Sequence, residues 1–341
     1  MNNVKRKIAF VVNPKSGVFG KEQIVRWIGE RIDKQQYDVE IIYTKWAGHA
    51  VGIAKEKAAE NYFAVVAIGG DGTINEVARS LVHTDTALGI IPCGSGNGLA
   101  RHLKIALDVK KAIDSINEAR LETIDYGMIN DNPFFCTCGV GFDAFISMKF
   151  AEAGKRGPLT YIEKTIRESI NYAPETYEME IDGQRKSYKA FVIACGNASQ
   201  YGNNAYITPR ASLNDGLLDV TIIEPFNMLE APSLSFQLFN KTIDKDSHVK
   251  TLRCSSLHIR RSKPGVAHFD GDPIMLGENI EVKIVKQGLK VIVPSSKNSS
   301  GLLTRAQDYL DEIDAFIDQV SRQNKVILIK GKKQVKKILS Q

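Results

Sequence analysis

Short apolar runs alternate with amphipathic stretches over the first 128 residues of the chain. Continuous apolar runs are typical of strands that are buried on both faces of a sheet, whereas apolar residues at three- and four-residue spacing indicate helices. The predicted strands are residues 8–12, 39–43, 63–68 and 87–91, and the predicted helices are residues 24–32, 49–61 and 73–83, with a fourth that begins at residue 97. This alternation predicts a parallel sheet with helices on both faces.

The pattern changes from about residue 129 onward, where turn signals multiply and strand-like runs follow one another directly. Asp-Gly or Gln-Gly pairs stand at 182–183, 215–216, 270–271 and 287–288. The predicted strands here are residues 189–194, 218–223, 256–260, 280–285 and 289–293, with helices at 159–172 and 227–240. This arrangement is typical of mainly antiparallel β-structure.

The two patterns together predict a two-domain α+β protein. We predict a nucleotide-binding α/β domain over residues 1–128 and a β-sandwich substrate domain over residues 129–296. Residues 297–341 are predicted to form a C-terminal helix, over residues 301–322, and a basic tail.

The net charge of +6 is confined to that tail. Residues 325–341 contain six lysines and no acidic residue, so residues 1–324 carry no net charge. The neutral body argues against a nucleic-acid partner. Aliphatic residues between the lysines favour peripheral contact with an anionic membrane surface, while a solubilising end or a strand that folds back onto the body are the alternatives.

The sequence predicts a cytoplasmic protein, with peripheral contact at the inner membrane surface. The apolar run at residues 8–12 is too short for a signal peptide, and no run approaches the ~18–20 apolar residues that span a bilayer. The five cysteines are scattered without a C-x-x-C pair, which favours reduced thiols, and no histidine pair has the spacing of a zinc site.

Three polar loops directly follow predicted strands of the first domain, at residues 13–17, 69–73 and 94–97. In an open parallel sheet, ligands bind where the carboxyl ends of the strands meet. A glycine-rich loop before a helix directs its backbone N–H groups, and the positive end of the helix, at a polyphosphate. The loops therefore predict a polyphosphate site at this edge of the sheet.

These loops belong to a longer series of motifs that occur in a fixed order. The series is Asn13-Pro-Lys-Ser-Gly17, Thr44 with Gly48-His-Ala50, Gly69-Gly-Asp-Gly-Thr-Ile-Asn-Glu76, Pro92-Cys-Gly-Ser-Gly-Asn97, Asp215-Gly-Leu-Leu-Asp219 and Asp270-Gly-Asp272. It resembles the diacylglycerol kinase catalytic-domain family, which includes bacterial soluble lipid kinases and is related to the sphingosine and ceramide kinases. The resemblance covers roughly residues 5–295.

The resemblance implies a first domain like that of NAD kinases and phosphofructokinases, with the active site in the cleft beside the β-sandwich. It also implies ATP and magnesium (Mg2+) as cofactors and a membrane lipid as substrate. The residues that it implies for ATP binding are Asn13, Thr44, Gly70, Asp71, Gly72, Thr73, Ile74, Asn75, Glu76 and Ser95.

Two catalytic carboxylates and one metal site follow from the same resemblance. Asp71, which we expect in a solvent-facing loop, would organise the catalytic magnesium, and Asp272 would be the general base for the lipid hydroxyl. The Asp215 carboxylate and the carbonyl groups of Ser212 and Leu217 would bind a structural magnesium ion, which prefers hard oxygen ligands. The alternatives are ordinary turn positions for Asp71 and Asp215 and a hairpin corner for Asp272.

This chain departs from the family pattern at two positions. The last motif of the family usually ends in Glu, whereas Asp272 is one methylene shorter. Many bacterial members have a basic residue where this chain has Val18. Lys15 and Lys21 are the nearby cations, and the sequence does not choose between them.

The predicted function is transfer of the γ-phosphoryl group of ATP to a hydroxyl of a diacylglycerol-like or sphingoid-type lipid, as in lipid metabolism and phospholipid biosynthesis. The alternatives are an NAD kinase-like enzyme, because Gly69-Gly-Asp-Gly-Thr73 also occurs there, and a catalytically weak lipid- or nucleotide-binding protein. The sequence names neither the lipid nor the oligomeric state, and a homodimer stays open.

Overall fold

The computed structural model describes residues 4–17, 20–153, 172–181 and 183–295. The described residues up to Pro294 belong to one compact unit. The predicted helix at 301–322 and the basic tail lie outside the described residues, as does the predicted helix at 159–172 except for Tyr172, which is not helical. Among the helices that are described, none is long and apolar enough to cross a bilayer.

The N-terminal half alternates strands and helices, as its apolar pattern predicts. Strands β1 Arg6–Val12, β2 Tyr37–Tyr43, β3 Ala64–Gly69 and β4 Ala87–Pro92 lie parallel in the order β2-β1-β3-β4. The helices are α1 Lys21–Arg31, α2 His49–Ala59, α3 Asp71–Leu81, α4 Gly98–His102 and α5 Val109–Glu118. Every residue of β3 and β4 is buried, because helices pack against both faces of the sheet.

The C-terminal half consists mainly of antiparallel strands. They are β5 Leu121–Ile129, β6 Asn132–Phe134, β7 Thr137–Gly141, β8 Glu175–Ile181, β9 Gln184–Ala190, β10 Val192–Gly196, β11 Leu218–Ile223, β12 Val249–Cys254, β13 Ser256–Arg261, β14 Gly265–Phe269, β15 Asp272–Leu276 and β16 Asn279–Ile292. The helices are α6 Phe142–Ala153 and α7 Ala231–Phe239, with 3-10 turns at Met228–Glu230 and Ile243–Lys245.

Strand β16 joins the two halves in one ten-stranded sheet. It pairs parallel with β4 and antiparallel with β5 and β13, so the parallel strands continue into the strands β16-β13-β8-β9. A six-stranded sheet, in the order β12-β11-β10-β7-β14-β15, packs against this part through a separate apolar core. The predicted fold class is confirmed; the boundary between residues 128 and 129, which falls within β5, stays a prediction.

Two predicted strand patterns were wrong in detail. The run at residues 189–194 belongs to two strands in different sheets, because the chain crosses from β9 to β10 at Phe191. The runs at residues 280–285 and 289–293 form one strand, β16, with a register shift between Val285 and Leu289. The expected Gln-Gly turn is therefore a bulge within this strand. At the bulge, the backbone N–H of Gln287 donates a hydrogen bond to the Asp125 carboxylate at 2.7 Å.

Strands β14 and β15 form a hairpin that is hydrogen-bonded to the N-terminal half. Asp270 and Gly271 form its two-residue turn with φ values of 48° and 86°, as a type I′ turn requires. The Asp270 carboxylate accepts hydrogen bonds from Asn75 Nδ2 at 2.9 Å and from the backbone N–H groups of Phe135, Cys136 and Thr137 at 2.9, 2.7 and 3.2 Å. Burial raises the pKa of Asp270 to about 6, while these N–H groups lower it.

The backbone that holds Asp270 is itself positioned by close packing of β6 on β5. Phe134 is fully buried, and a Cβ atom on Gly127 would lie 2.0 Å from Cζ of its ring. We expect Gly127→Ala to lower the free energy of unfolding by about 2–3 kcal/mol, because the ring has no room to yield. Chemical denaturation measures this change.

Gly29→Ala is the control, because an added Cβ at this exposed position of α1 has no atom within 4 Å. A helix-interior alanine there should stabilise the protein by up to about 1 kcal/mol. Equal unfolding free energies for the two variants would contradict the packing argument.

Candidate active site

Two glycine loops touch at the carboxyl ends of β3 and β4. A Cβ atom on Gly94 would lie 2.6 Å from Cα of Gly70, and one on Gly70 would lie 3.2 Å from Cα of Gly94. Because backbone meets backbone here, neither loop can carry a side chain at this point. The contact brings the N-terminus of α3 beside the second loop, so that both loops border one surface rich in backbone N–H groups.

The Asp71 carboxylate holds these loops together. Asp71 is the first residue of α3; its Oδ1 accepts a hydrogen bond from Gly98 N at 2.7 Å and its Oδ2 from Asn97 N at 2.8 Å. Burial raises the pKa of Asp71, although these two N–H groups and Arg101 lower it. The expected solvent-facing position was only partly right, because Asp71 is half-buried and the start of α4 contacts its carboxylate. Each carboxylate oxygen keeps a second lone pair for a further donor.

The first polar loop is attached to the start of α3. Asn13 Nδ2 donates to Thr73 Oγ1 at 2.9 Å, and Asn13 Oδ1 accepts from Lys15 N at 3.0 Å. Thr44 is buried at the end of β2, where its N–H donates to Val12 O at 2.9 Å. Ser95 is exposed in the second glycine loop. The strand order therefore brings all of these predicted ATP-binding residues to one edge of the sheet.

Three other residues of the predicted ATP set have side chains that are engaged in packing or capping. Ile74 is in the core, and the Asn75 amide donates to Asp270 and to Pro133 O. The Glu76 carboxylate accepts hydrogen bonds from Gly48 N at 2.9 Å and Ala50 N at 3.2 Å, which caps α2. Nucleotide contact by these three residues stays a prediction.

Asp272 faces the first turn of α3. Its Oδ2 atom lies 3.8 Å from the position that a Cβ atom on Gly72 would occupy. The hairpin-corner alternative is wrong for this residue, because Asp270 and Gly271 form the corner and Asp272 pairs with Phe269 in the ladder. An exposed carboxylate thus lies directly across from the glycine loop.

The residues of the predicted structural magnesium site make side-chain and turn contacts with protein groups. The Asp215 carboxylate forms an ion pair with Arg253 and accepts a hydrogen bond from Leu217 N at 3.1 Å. Ser212 Oγ donates to Asn214 Oδ1 at 2.9 Å. No group of three or more His, Cys, Asp or Glu residues in the described part of the chain could hold a metal ion. The turn alternative explains these contacts, and magnesium binding there stays a prediction.

Lys21 contributes a buried cation near the loop at residues 13–17 and the loop at residues 94–97. Among the described residues, the only polar group found beside its Nζ is the Cys93 thiol, whose sulfur is a weak acceptor. Burial raises the pKa of Cys93, whereas the Lys21 charge lowers it. A Cβ atom on Gly17 would lie 2.3 Å from Cys93 O, so the first loop packs onto the same residue. A buried ammonium group is costly without an anion beside it, so Lys21 is the better candidate to bind a phosphate. Lys15, the other nearby cation, is exposed to solvent.

Sequence analysis missed Asp270 and left Lys21 undecided. The signal for Asp270 was present, because an Asp-Gly pair between two apolar runs predicts a type I′ hairpin turn. The four hydrogen bonds to its carboxylate depend on residues that are far away in the sequence. Burial of Lys21 likewise depends on the packing of the loop after β4, which lies three strands further along the chain.

Two family models match the chain in the order of its two halves. The diacylglycerol kinase catalytic domain matches residues 7–129, and the YegS C-terminal NAD kinase beta sandwich-like domain matches residues 136–293. The diacylglycerol kinase of Bacillus subtilis strain 168 is 26% identical over 301 residues, covering 86% of this chain and 98% of the relative. That of Mycobacterium tuberculosis strain H37Rv is 27% identical over 297 residues, covering 84% and 95%.

A solved structure shares the fold. The crystal structure of a diacylglycerol kinase from Bacillus anthracis strain Sterne has a TM-score of 0.67 at 18% identity, and covers 86% of this chain and 99% of its own. The motif series, the two family models and the similar proteins agree over the same residues. The chain therefore belongs to the diacylglycerol kinase catalytic-domain family of lipid kinases.

Proposed function

We propose that this protein transfers the γ-phosphoryl group of ATP to a hydroxyl group of a membrane lipid. The observation that carries the proposal is the position of Asp272, whose carboxylate lies beside Gly72 in the first turn of α3, next to the two glycine loops. Backbone N–H groups suited to phosphate and a carboxylate suited to act as a base thus lie side by side. Phosphoryl transfer requires this arrangement, because the attacking and leaving oxygens stand in line.

The phosphate side of the site acts by electrostatics. The N-terminus of α3 and the N–H groups of both glycine loops favour the negative charge of the polyphosphate. The Lys21 ammonium supplies a positive charge beside Cys93, the residue before the second glycine loop. Because Lys21 is buried, its attraction for a phosphate group is stronger than it would be in water. A magnesium ion bound with the ATP would neutralise charge on the phosphate oxygens.

The acceptor side of the site moves one proton. The lipid hydroxyl oxygen forms a bond to the γ-phosphorus while the bond from that phosphorus to the bridging oxygen of ADP breaks. Asp272 takes the hydroxyl proton, and ADP leaves with the bonding electrons. The Asp270 hydrogen bonds to Asn75 and to residues 135–137 hold the hairpin, so that Asp272 stays opposite α3. Membrane contact through residues 325–341 stays a prediction outside the described residues.

Labelled ATP with vesicles of several lipids, and in parallel with NAD, tests the proposal. We expect label in the lipid and none in NAD. Asp272→Asn should lower turnover by about 10²–10⁴-fold, the usual contribution of general base catalysis, while the KM for ATP changes little. Asp272→Glu should keep the base and retain activity.

Asp38→Asn is the matched control, because Asp38 is exposed on the edge strand β2. Its turnover should equal that of the wild type. Transfer of label to NAD, or to neither acceptor, would overturn the proposed function. Wild-type turnover in Asp272→Asn would remove Asp272 from the base role.

Lys21→Met tests the phosphate side separately. We expect at least about a tenfold loss of affinity for a non-hydrolysable ATP analogue, since a desolvated cation–phosphate pair is lost. Affinity for adenosine should not change. The melting temperature of the free protein should rise, because the variant no longer buries an unpaired charge. Isothermal titration calorimetry and thermal unfolding measure these effects.

Lys15→Met is the control for this experiment, because Lys15 lies on the same loop but is exposed. It should bind the analogue within about twofold of wild type, as expected for a screened surface charge. Equal loss of affinity in both lysine variants, or in neither, would contradict the role of Lys21.

A further inference from the structure

An exposed apolar stripe runs along α7 and the 3-10 turn before it. Leu229, Phe236 and Phe239 are 87%, 68% and 52% exposed, and the exposed Pro232 lies between them in the sequence. Their spacing of three, four and three residues puts the four side chains on one helical face. Among the described residues, no other phenylalanine is exposed. These four residues are called the α7 stripe below.

The opposite side of α7 packs into the protein. Leu234 is buried and Leu238 is partly buried against the apolar core that contains Phe142 and Ile146. One apolar face therefore holds the helix in place while a second apolar face meets solvent. A contiguous apolar face of this kind marks a surface that another apolar partner covers.

The charged groups beside the α7 stripe favour an anionic partner. The carboxylates of Asp244 and Asp246 are 7% and 12% exposed, and both are engaged in contacts within the protein. Glu230 is partly exposed, and its carboxylate accepts a backbone N–H at 2.7 Å. Lys241 and Lys245 are exposed and stand outside the ion pairs of the described residues. The cations next to the stripe are thus free to meet phosphate groups, whereas the acids are occupied.

The segment from Gly202 to Tyr206 connects α7 to the second glycine loop. Tyr206 N donates to Leu238 O at 2.9 Å, and Lys241 Nζ lies 4.3 Å from the centre of the Tyr206 ring. At the other end of the segment, a Cβ atom on Gly202 would lie 2.8 Å from Cα of Gly96. Five residues span at most about 18 Å, so a lipid surface at the end of α7 is close to the glycine loops.

We propose that the α7 stripe is a membrane-docking surface. Its leucine and phenylalanine side chains enter the boundary between head groups and acyl chains of an anionic bilayer, as amphipathic interfacial helices do. Lys241 and Lys245 meet the lipid phosphates. This inference rests on the proposed function, because an acceptor lipid that stays in its bilayer has to be reached from the membrane surface. It concerns residues other than the basic tail at 325–341.

Sedimentation with vesicles of phosphatidylcholine and phosphatidylglycerol measures docking without catalysis. In the full-length chain, Phe236→Ser combined with Phe239→Ser should lower the partition coefficient at least about tenfold, because two phenyl groups no longer leave water. Phe236→Trp should retain binding, since tryptophan favours the interface. Lys245→Gln should lose about fivefold on these vesicles and nothing on phosphatidylcholine alone.

Val4→Ser is the matched control, because Val4 is 92% exposed and lies before β1, at the amino ends of the parallel strands. It should bind the vesicles as the wild type does. The melting temperature of the double serine variant should stay within about 2 °C of the wild type, because the replaced side chains are exposed.

Unchanged vesicle binding in the double serine variant would overturn the inference, as would an equal loss in Val4→Ser. A melting temperature several degrees lower, or a smaller mass by sedimentation equilibrium, would mean that the stripe is covered by another part of the chain or by a second copy, and would overturn it as well. Vesicle binding does not depend on phosphoryl transfer. A lack of label in every lipid would therefore overturn the proposed function while the docking experiment still decides this inference.

Discussion

The hydrogen bonds from Asn97 and Gly98 to the Asp71 carboxylate are the contacts on which the rest of the site depends. They bring the start of α4 against the start of α3, and the backbones of Gly70 and Gly94 meet beside them. Both glycine loops thereby form one surface. Because burial removes part of the water around the carboxylate, these charge-assisted bonds are stronger than they would be in water.

A second carboxylate, that of Asp270, connects this surface to the β-sandwich. Asp270 reaches from the hairpin to Asn75 of α3 and to the backbone of residues 135–137, so it ties together segments of both halves. Asp272 is fixed opposite Gly72 as a result. The two acids of the last motif thus have different environments: Asp270 holds the hairpin through its hydrogen bonds, and Asp272 is exposed beside the start of α3.

The sequence predicted most of the fold because the helical and the strand spacings of its apolar residues are both clear. The same pattern placed the glycine loops at one edge of a parallel sheet. The predictions failed where tertiary packing determines the environment of a residue. Asp71 is half-buried and not fully solvent-facing, because α4 folds onto it. The strand predicted at residues 189–194 was wrong because the apolar pattern does not show a change of sheet at Phe191. Hydrogen bonds between distant residues, such as those of Asp270, leave no local periodic signal.

The stereochemistry of transfer at phosphorus tests the central claim most directly, namely that the lipid hydroxyl attacks ATP held by the two loops in one step. ATP made chiral at its γ-phosphorus with oxygen isotopes and sulfur would serve as the donor. A single in-line displacement inverts the configuration of the transferred group, so the account predicts inversion in the lipid product. Retention would mean two displacements through a phosphorylated residue of the enzyme, and would contradict direct transfer with Asp272 as the base.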